Sequence, residues 1–534
     1  MQALSFRSSS TPTRWLVLAG LFVCGCEASK TTPGTTPTTS AGKTSTIPAS
    51  TDGEAKASTE SHPPAEPKPL LDGWEVPAAA LLLTGEQHGY FEPCGCTLGQ
   101  SGGMTRRASL VRQLEDRGWK VAGLDVGGTL RRARQQDQIK FDTILTALND
   151  LHYEGLAVGV EELRLGADFL ASKPQNSLAL LSANVVLFDL PDLGTPRAFK
   201  TFTVGNLKVG VTAVLGDSLK AEVAPAGVNT NITIKAPSEV LPGVIQQLQA
   251  EKPQLMVLLS HGSLAEAEAL AKAYPEFQVV LAAGGPGDPA GRPTKVGETW
   301  VIQAGHKGRY VGVLGIYPDA TPQLKFELVS LDAKRFPDDA KMHERMREYQ
   351  QRLKDEEIWK KDELLIRHPE GLKFVGADRC GECHTKAFAV WKETKHAHAW
   401  DSLIKGHARP EDKDYISRIY DPECLSCHVV GWEPQEMLRY ESGFFDEATT
   451  PHLKGQQCEH CHGAGSAHVA LETQFQEDAA AVDGEKLKTL RASMRQTLEQ
   501  AKKSTGCYYC HDTDNSPNFK FEEYWDQIKH EGKD

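Results

Sequence analysis

Long apolar runs are scarce in this chain of 534 residues. The run at 15–23 is far too short to span a bilayer, and no later stretch of about 18 apolar residues follows it, so there is no other transmembrane candidate. Residues 30 to about 68 have almost no large apolar side chains, being mostly Thr, Ser, Pro, Lys and Glu, which excludes a packed core there. An excess of positive charge is also missing. The formal net charge of −12 argues against a nucleic-acid partner and favours a basic patch on a protein partner as electrostatic complement. Residues 371–534 have few strand-like runs and few large aliphatics for their length, so that segment is short of ordinary core material.

What this last segment does have is Cys-x-x-Cys-His, four times: CGECH (Cys380, Cys383, His384), CLSCH (Cys424, Cys427, His428), CEHCH (Cys458, Cys461, His462) and CYYCH (Cys507, Cys510, His511). Two thiols at this spacing add across the vinyl groups of one porphyrin while the adjacent imidazole ligates the iron. With 12 Cys and 18 His in the chain, a random shuffle yields on the order of 0.01 such motifs. Zinc ribbons fit poorly: the intervals between pairs are 40, 30 and 45 residues, against roughly 12–20 in the common zinc modules. Disulfides would not require the trailing His. The expected cofactor is therefore haem c, four copies, covalently held, and the porphyrin faces would supply the missing core.

The N-terminus points to export. Arg7 and Arg14 precede the apolar run, which ends in VCGC. This resembles a bacterial lipobox, which implies cleavage after Gly25, loss of Cys24 and lipidation of Cys26. An ordinary signal peptide or an uncleaved anchor would equally place the chain outside the cytoplasm, where c-type haem is attached. The expected organisation is a lipoprotein signal peptide at 1–25, a Thr/Ser/Pro-rich tether at 26–70, an α/β domain at 71–331, a charged helical connector at 332–370 and a tetrahaem domain at 371–534. The expected location is the periplasm or the outer face of a bacterial membrane, lipid-anchored.

The C-terminal region resembles the tetrahaem cytochrome c family that accepts electrons from hydroxylamine oxidoreductase. The resemblance is carried by FVGADRCGECHTKAFAVWKETKHAHAWDSL, CEHCHGAGSAH and CYYCHDTDNSPNFKFEEYWDQIKH. It implies a mainly α, haem-packed fold in which His468 is the distal ligand of the first haem, His530 of the third and His396 of the fourth, leaving the second haem five-coordinate. His398 is the rival of His396, and His452 or His407 could close the second site.

Between about 76 and 331, apolar runs alternate with amphipathic ones. Strands are expected at 79–83, 120–126, 156–159, 178–186, 207–215, 255–260, 279–283 and 300–303, and helices at 105–117, 237–251 and 264–274, an α/β pattern. The order of short motifs resembles the metallophosphoesterase domain of the 5′-nucleotidase family, a layered α/β sandwich. His88 and Gly89 in GEQHG match Asp-x-His-Gly, LDVGG matches Asp-x-Gly-Asp, GVEELRLG matches Gly-Asn-His-Glu, and SHG at 260–262 brings His261. AAGGPGD at 282–288 takes the place of Gly-His-x-His. Glu86, Gly128, Val160 and Glu161 stand where that family has metal ligands, which argues against a working dinuclear site.

EPCGC adds Cys94 and Cys96 close to His88, a Cys-x-Cys able to bind a soft metal or to form a disulfide, or simply two buried thiols. A further metal ion held by Cys94, Cys96, His88 and His261 is one expectation here. Gly102, Gly103, Arg106 and Arg107 near a helix start form a candidate anion site. The charged segment at 338–365 carries Met342, Met346, Tyr349 and Leu353 at helical spacing.

The expected function is electron transfer between extracytoplasmic redox proteins, with a non-hydrolytic phosphoesterase-like domain that docks a partner or positions the relay. One alternative is a haem enzyme acting on a small nitrogen or sulfur compound at the second iron, near His428. The other is a phosphoester hydrolase with a rebuilt metal site.

Overall fold

Along the first strand, Ala79, Leu81 and Leu83 pack into one apolar cluster while Ala80 and Leu82 pack into another. A strand covered on both faces reads as a continuous apolar run, which is why AALLLT is apolar throughout. The computed structural model describes residues 69–93, 100–174, 178–223, 231–321, 323–368, 371–406 and 415–533. These form one compact unit. Cys26, Cys94, Cys96 and His407 lie outside the described residues. Among the described residues no helix is long and apolar enough to cross a membrane.

Two six-stranded sheets build the α/β region. The first runs β14 (Leu324–Ser330), β13 (Tyr310–Ile316), β1 (Ala79–Thr84), β2 (Val121–Asp125), β3 (Tyr153–Ala157), β4 (Ala179–Leu181). Strands β1 to β4 are parallel, and the β13–β14 hairpin adds antiparallel to β1. The second sheet runs β11 (Thr294–Val296), β12 (Thr299–Gln303), β10 (Val279–Ala282), β9 (Leu255–His261), β7 (Leu207–Leu215), β6 (Phe199–Val204), with β7, β9, β10 and β12 parallel. Their facing sides share a core of Leu81, Leu124, Val209, Val257 and Leu281. The outer side of the first sheet is covered by α1 (Met104–Asp116) and α2 (Gln135–Asp150), and that of the second by helices Pro237–Ala250 and Leu264–Ala273. The result is a helix–sheet–sheet–helix sandwich.

The segment expected as one strand at 178–186 divides instead into β4 and β5 (Val185–Leu187), and β5 pairs with β8 (Ile232–Ile234) outside both large sheets. Asn184 makes the break: its side chain donates to the carbonyls of Leu215 (2.9 Å) and Lys235 (3.0 Å) and accepts from Leu215 N (2.9 Å). The β13–β14 hairpin is absent from the strands expected of the sequence. Its YVGVLGI strand carries Gly312 and Gly315, which leave room for Phe326 and Trp74 and weaken the strand signal. The charged segment forms helix Ala340–Asp355, and Met342, Met346, Tyr349 and Leu353 are buried in the core that also holds α1 and α2. It is therefore part of the sandwich as well as a link.

Beyond it, order comes from short helices and one small sheet of β15 (Leu365–Ile366), β16 (Trp432–Glu433) and β17 (Leu438–Tyr440). One apolar cluster, with Trp359, Trp400, Leu425, Val429, Trp432 and Phe444, surrounds the second motif. Helices Thr385–Lys392 and Ser466–Glu477 have no buried residue. They line a cavity of about 3510 Å³, several times the roughly 300–1,000 Å³ of a single small-molecule pocket.

Candidate functional site

Each Cys-x-x-Cys-His motif lies on a helical turn, which brings residues i, i+3 and i+4 to one face. In the first motif His384 N donates to Cys380 O (2.9 Å), and in the fourth His511 N donates to Cys507 O (3.0 Å). The second closes helix Pro422–His428, capped by the Asp421 carboxylate, which accepts from Glu423 N at 3.0 Å. The third forms helix Cys458–His462 entirely. All eight motif cysteines are free of disulfides and all four motifs line the large cavity. Here the thiols stand in for the thioethers of an attached porphyrin. The sulfur of Cys380 is hydrogen-bonded to that of Cys458, and the sulfur of Cys427 to that of Cys510, so motifs one and three adjoin, as do two and four.

Three pairs of imidazoles face each other across this cavity. Ring centres are 6.2 Å apart for His384 and His468, 5.8 Å for His462 and His530, and 6.1 Å for His511 and His396. An iron between two imidazole nitrogens, at about 2.0–2.1 Å from each and with about 1.2 Å from nitrogen to ring centre, requires about 6.4–6.6 Å, within about 0.8 Å of all three pairs. The residues therefore fit bis-imidazole iron.

In three of these six rings Nδ1 is engaged as such ligation needs. Nδ1 of His462 lies 2.5 Å from Met494 O, Nδ1 of His530 lies 3.0 Å from Ile528 O, and Nδ1 of His511 lies 3.0 Å from Ser516 Oγ. An Nδ1–H donated to a carbonyl leaves Nε2 as the lone-pair donor. Burial pushes the His396 imidazole down to about 4 and lowers those of His462, His468 and His511, so these rings are neutral, the ligating form, at pH 7.

Of the neighbouring histidines, His396 turns toward His511, whereas His398 is 65% exposed and lies 4.0 Å from Asp401. His452 packs beside Gly376, and its carbonyl accepts from Gln457 at 2.8 Å. At the second motif, Nδ1 of His428 is 2.8 Å from Ala399 O and 3.2 Å from Ser402 Oγ. His460, inside the third motif, also lines the cavity, with burial and the neighbouring His396 pushing it down to about 4. Its place between the two attachment cysteines hides it in the sequence, where the histidines outside the motifs are the visible candidates.

A second cluster gathers at the C-terminal ends of parallel strands in the α/β region, the usual ligand position of such sheets. Glu86 and His88 follow β1, Glu161 follows β3, His261 ends β9 and His306 follows β12. Nε2 of His306 is 3.3 Å from Glu86, Nε2 of His261 is 3.5 Å from Glu161, and the His88 and His306 rings are 5.2 Å apart. Glu86 and His88 both hold left-handed backbone, φ 47° and 49°, a strain that concentrates at functional sites.

The charges in this cluster are unequal. Burial disfavours the charge on His261, but its hydrogen bond to Glu161, aided by Glu162 and the Val126 carbonyl, pushes it up to about 9. Burial and then His306 push His88 down to about 4. Among the described residues no group of three or more His, Cys, Asp or Glu is arranged to hold a metal ion. Gly128, at φ 73°, stands where the resemblance implies a metal ligand, and a Cβ there would lie 3.2 Å from Glu86 Cα. Nothing in the sequence singles out His306, which lies far along the chain from Glu86 in a loop with no recognised motif. Arg107, one of the candidate anion binders, is fully buried, donates to Gln87 Oε1 at 2.5 Å and lies 3.9 Å from Asp125, so it faces the interior.

Comparison with known proteins gives matches of two kinds. The chain is similar to a 5′-nucleotidase precursor from Thermus thermophilus, at 24% identity and a TM-score of 0.45 over 52% of this chain and 59% of that one. It is similar also to the sulfate thiohydrolase SoxB from Thermus thermophilus, at 17% identity and a TM-score of 0.45 over 53% and 62% of the two chains. For the NAD nucleotidase of Haemophilus influenzae the values are 14% and 0.44, over 60% and 69%. Cytochrome c-554 of Nitrosomonas europaea is 35% identical over 97 residues, which are 17% of this chain; the chain spans 39% of that protein's length. The family model described as cytochrome c554 and c-prime matches residues 379–463. Over these residues, which contain the first three motifs, the chain carries a cytochrome c554-type sequence, with the covalent haem c attachment that such a sequence implies.

Proposed function

We propose that this protein is an electron-transfer cytochrome with four covalently attached haems, one at each motif, working outside the cytoplasm on a lipid anchor at Cys26. The observation that carries the reading is the set of three imidazole pairs, each within about 0.8 Å of the separation that two-sided iron ligation requires. Haem c supplies one-electron chemistry at an iron whose ligation the protein controls. The cysteines would anchor the haems, His384, His428, His462 and His511 would ligate their irons, and His468, His530 and His396 would be the second ligands at the first, third and fourth sites. The backbone carbonyls and Ser516 hold the rings in the tautomer that ligates. Motifs one and three adjoin, as do two and four, which would bring their haems near each other in one cavity.

The α/β region is read as non-hydrolytic, since carboxylate and imidazole ligands of a two-metal site are replaced and no such grouping is formed among the described residues. The natural partners are redox proteins with a basic docking face, complementary to the net charge of −12.

Haem counting by pyridine haemochrome and intact mass, followed by a redox titration with EPR, tests the reading. Four haems with at least three low-spin signals are expected, and fewer than four per chain would overturn it. A high-spin signal that responds to a small added ligand would move the function to chemistry at the second iron. Turnover of a phosphoester with added Mn or Zn would move it to hydrolysis.

A further inference from the structure

The helix that carries the second motif packs its apolar side into the C-terminal cluster, and its start is tied to the α/β region. Asp421, at its start, accepts from Gln136 of α2 at 2.8 Å and from Gln350 of helix Ala340–Asp355 at 2.6 Å, and Gln136 donates as well to the Tyr349 hydroxyl at 2.9 Å. Two residues on, Glu423 accepts from Lys140 of α2 at 2.6 Å through both carboxylate oxygens. Just upstream, Arg418 donates to Glu92, in the loop that follows β1, at 2.5 Å.

Lys140 is 4% exposed, whereas Glu423 keeps 34% of its side chain open and lines the large cavity beside Cys424. Gly89, next to His88, packs directly on Lys140; a Cβ there would lie 3.5 Å from its ammonium. Residues 89–93, Lys140, Thr143, Met346 and Tyr349 all line the same cavity as the four motifs. The α/β region is thus one wall of the space in which the second porphyrin would sit.

We infer that the α/β region is a built-in part of the second haem site, and that the Lys140–Glu423 pair is a positioning and tuning device that sets the potential of this haem. The inference rests on the haem reading above. A carboxylate open to the cavity favours the oxidised, more positive iron, and the ammonium behind it offsets that preference. Asp421 and Asp137 also act on Lys140, and Arg132 and Arg131 on Glu423, so removing either partner alone shifts the local charge by one unit without stranding the other, with opposite consequences for the iron. Nothing in the linear sequence links the two residues, which are 283 positions apart.

The test is a haem-resolved redox titration of the full chain carrying Lys140→Met, Lys140→Arg, Glu423→Gln, or Lys140→Met with Glu423→Gln. Lys140→Met is expected to lower one of the four potentials, on the order of tenfold in the reduced-to-oxidised ratio at fixed ambient potential, which is about 59 mV for one electron. Glu423→Gln is expected to raise the same potential. The double variant and Lys140→Arg are expected to stay near the original value. Should Lys140→Met lose its second haem, Glu423→Gln reads the same pair with the opposite sign. Four haems with unmoved potentials in both single variants would overturn this inference alone. An original chain without haem would overturn the haem reading itself.

Discussion

The two regions fill their interiors in opposite ways. In the α/β region each central strand is covered on both faces, and Leu81, Leu82 and Leu83 are all fully buried. In the C-terminal region two of the longer helices bury nothing, and four motifs surround a cavity of about 3510 Å³. One region is filled by side chains it encodes, whereas the other, outside the cluster around the second motif, borders space that the proposed haems would fill. Both lie within a single compact unit.

The largest effect that would sharpen this contrast is loss of an attachment site. Cys458→Ser with Cys461→Ser is expected to remove one haem by mass and to unfold much of the C-terminal region to proteolysis, while 69–330 stays protected. Equal digestion of both regions would break the comparison. Leu82→Ala is expected to act the other way, costing about 2–5 kcal/mol in a denaturant titration of the α/β region while haem content is unchanged.

Distal ligands come next. His468→Ala is expected to convert one low-spin haem to a high-spin or ligand-accessible form by EPR, and His396→Ala to do the same at the fourth motif. His398→Ala is expected to leave the spectrum unaltered, because His398 is open to solvent.

The smallest expected effect concerns pH. His261 is pushed up to about 9, so its pair with Glu161 stabilises the fold fully below the ordinary imidazole value near 6.5 and loses that contribution as pH rises toward 9. His261→Gln is expected to flatten this alkaline decline, on the order of 1–3 kcal/mol between pH 6 and 9. Thermal melts across that range measure it, and an unchanged slope would mean that the pair does not hold the proton.

Much of this was legible in the sequence where the signal is local. A Cys-x-x-Cys-His motif needs only one helical turn, and strands such as β7, β9 and β10 show as apolar runs because both their faces are covered. Non-local features were harder. The choice of His396 over His398 depends on which ring the turn after helix Thr385–Lys392 aims at His511, and two adjacent positions look alike in sequence. His306 joins Glu86 only because β12 and β1 end on the same side of the sandwich.

By itself the sequence determined which cysteines and histidines have the haem-attachment spacing, that the middle of the chain alternates strand and helix, and that the C-terminal region is short of core material. Those properties follow from spacing and burial pattern along a few neighbouring residues. Only the tertiary structure decided which imidazoles face each other, which polar groups gather at the ends of β1, β3, β9 and β12, and that Lys140 reaches Glu423. Those pairings join residues tens to hundreds of positions apart, and distance in space is set by how the layers pack.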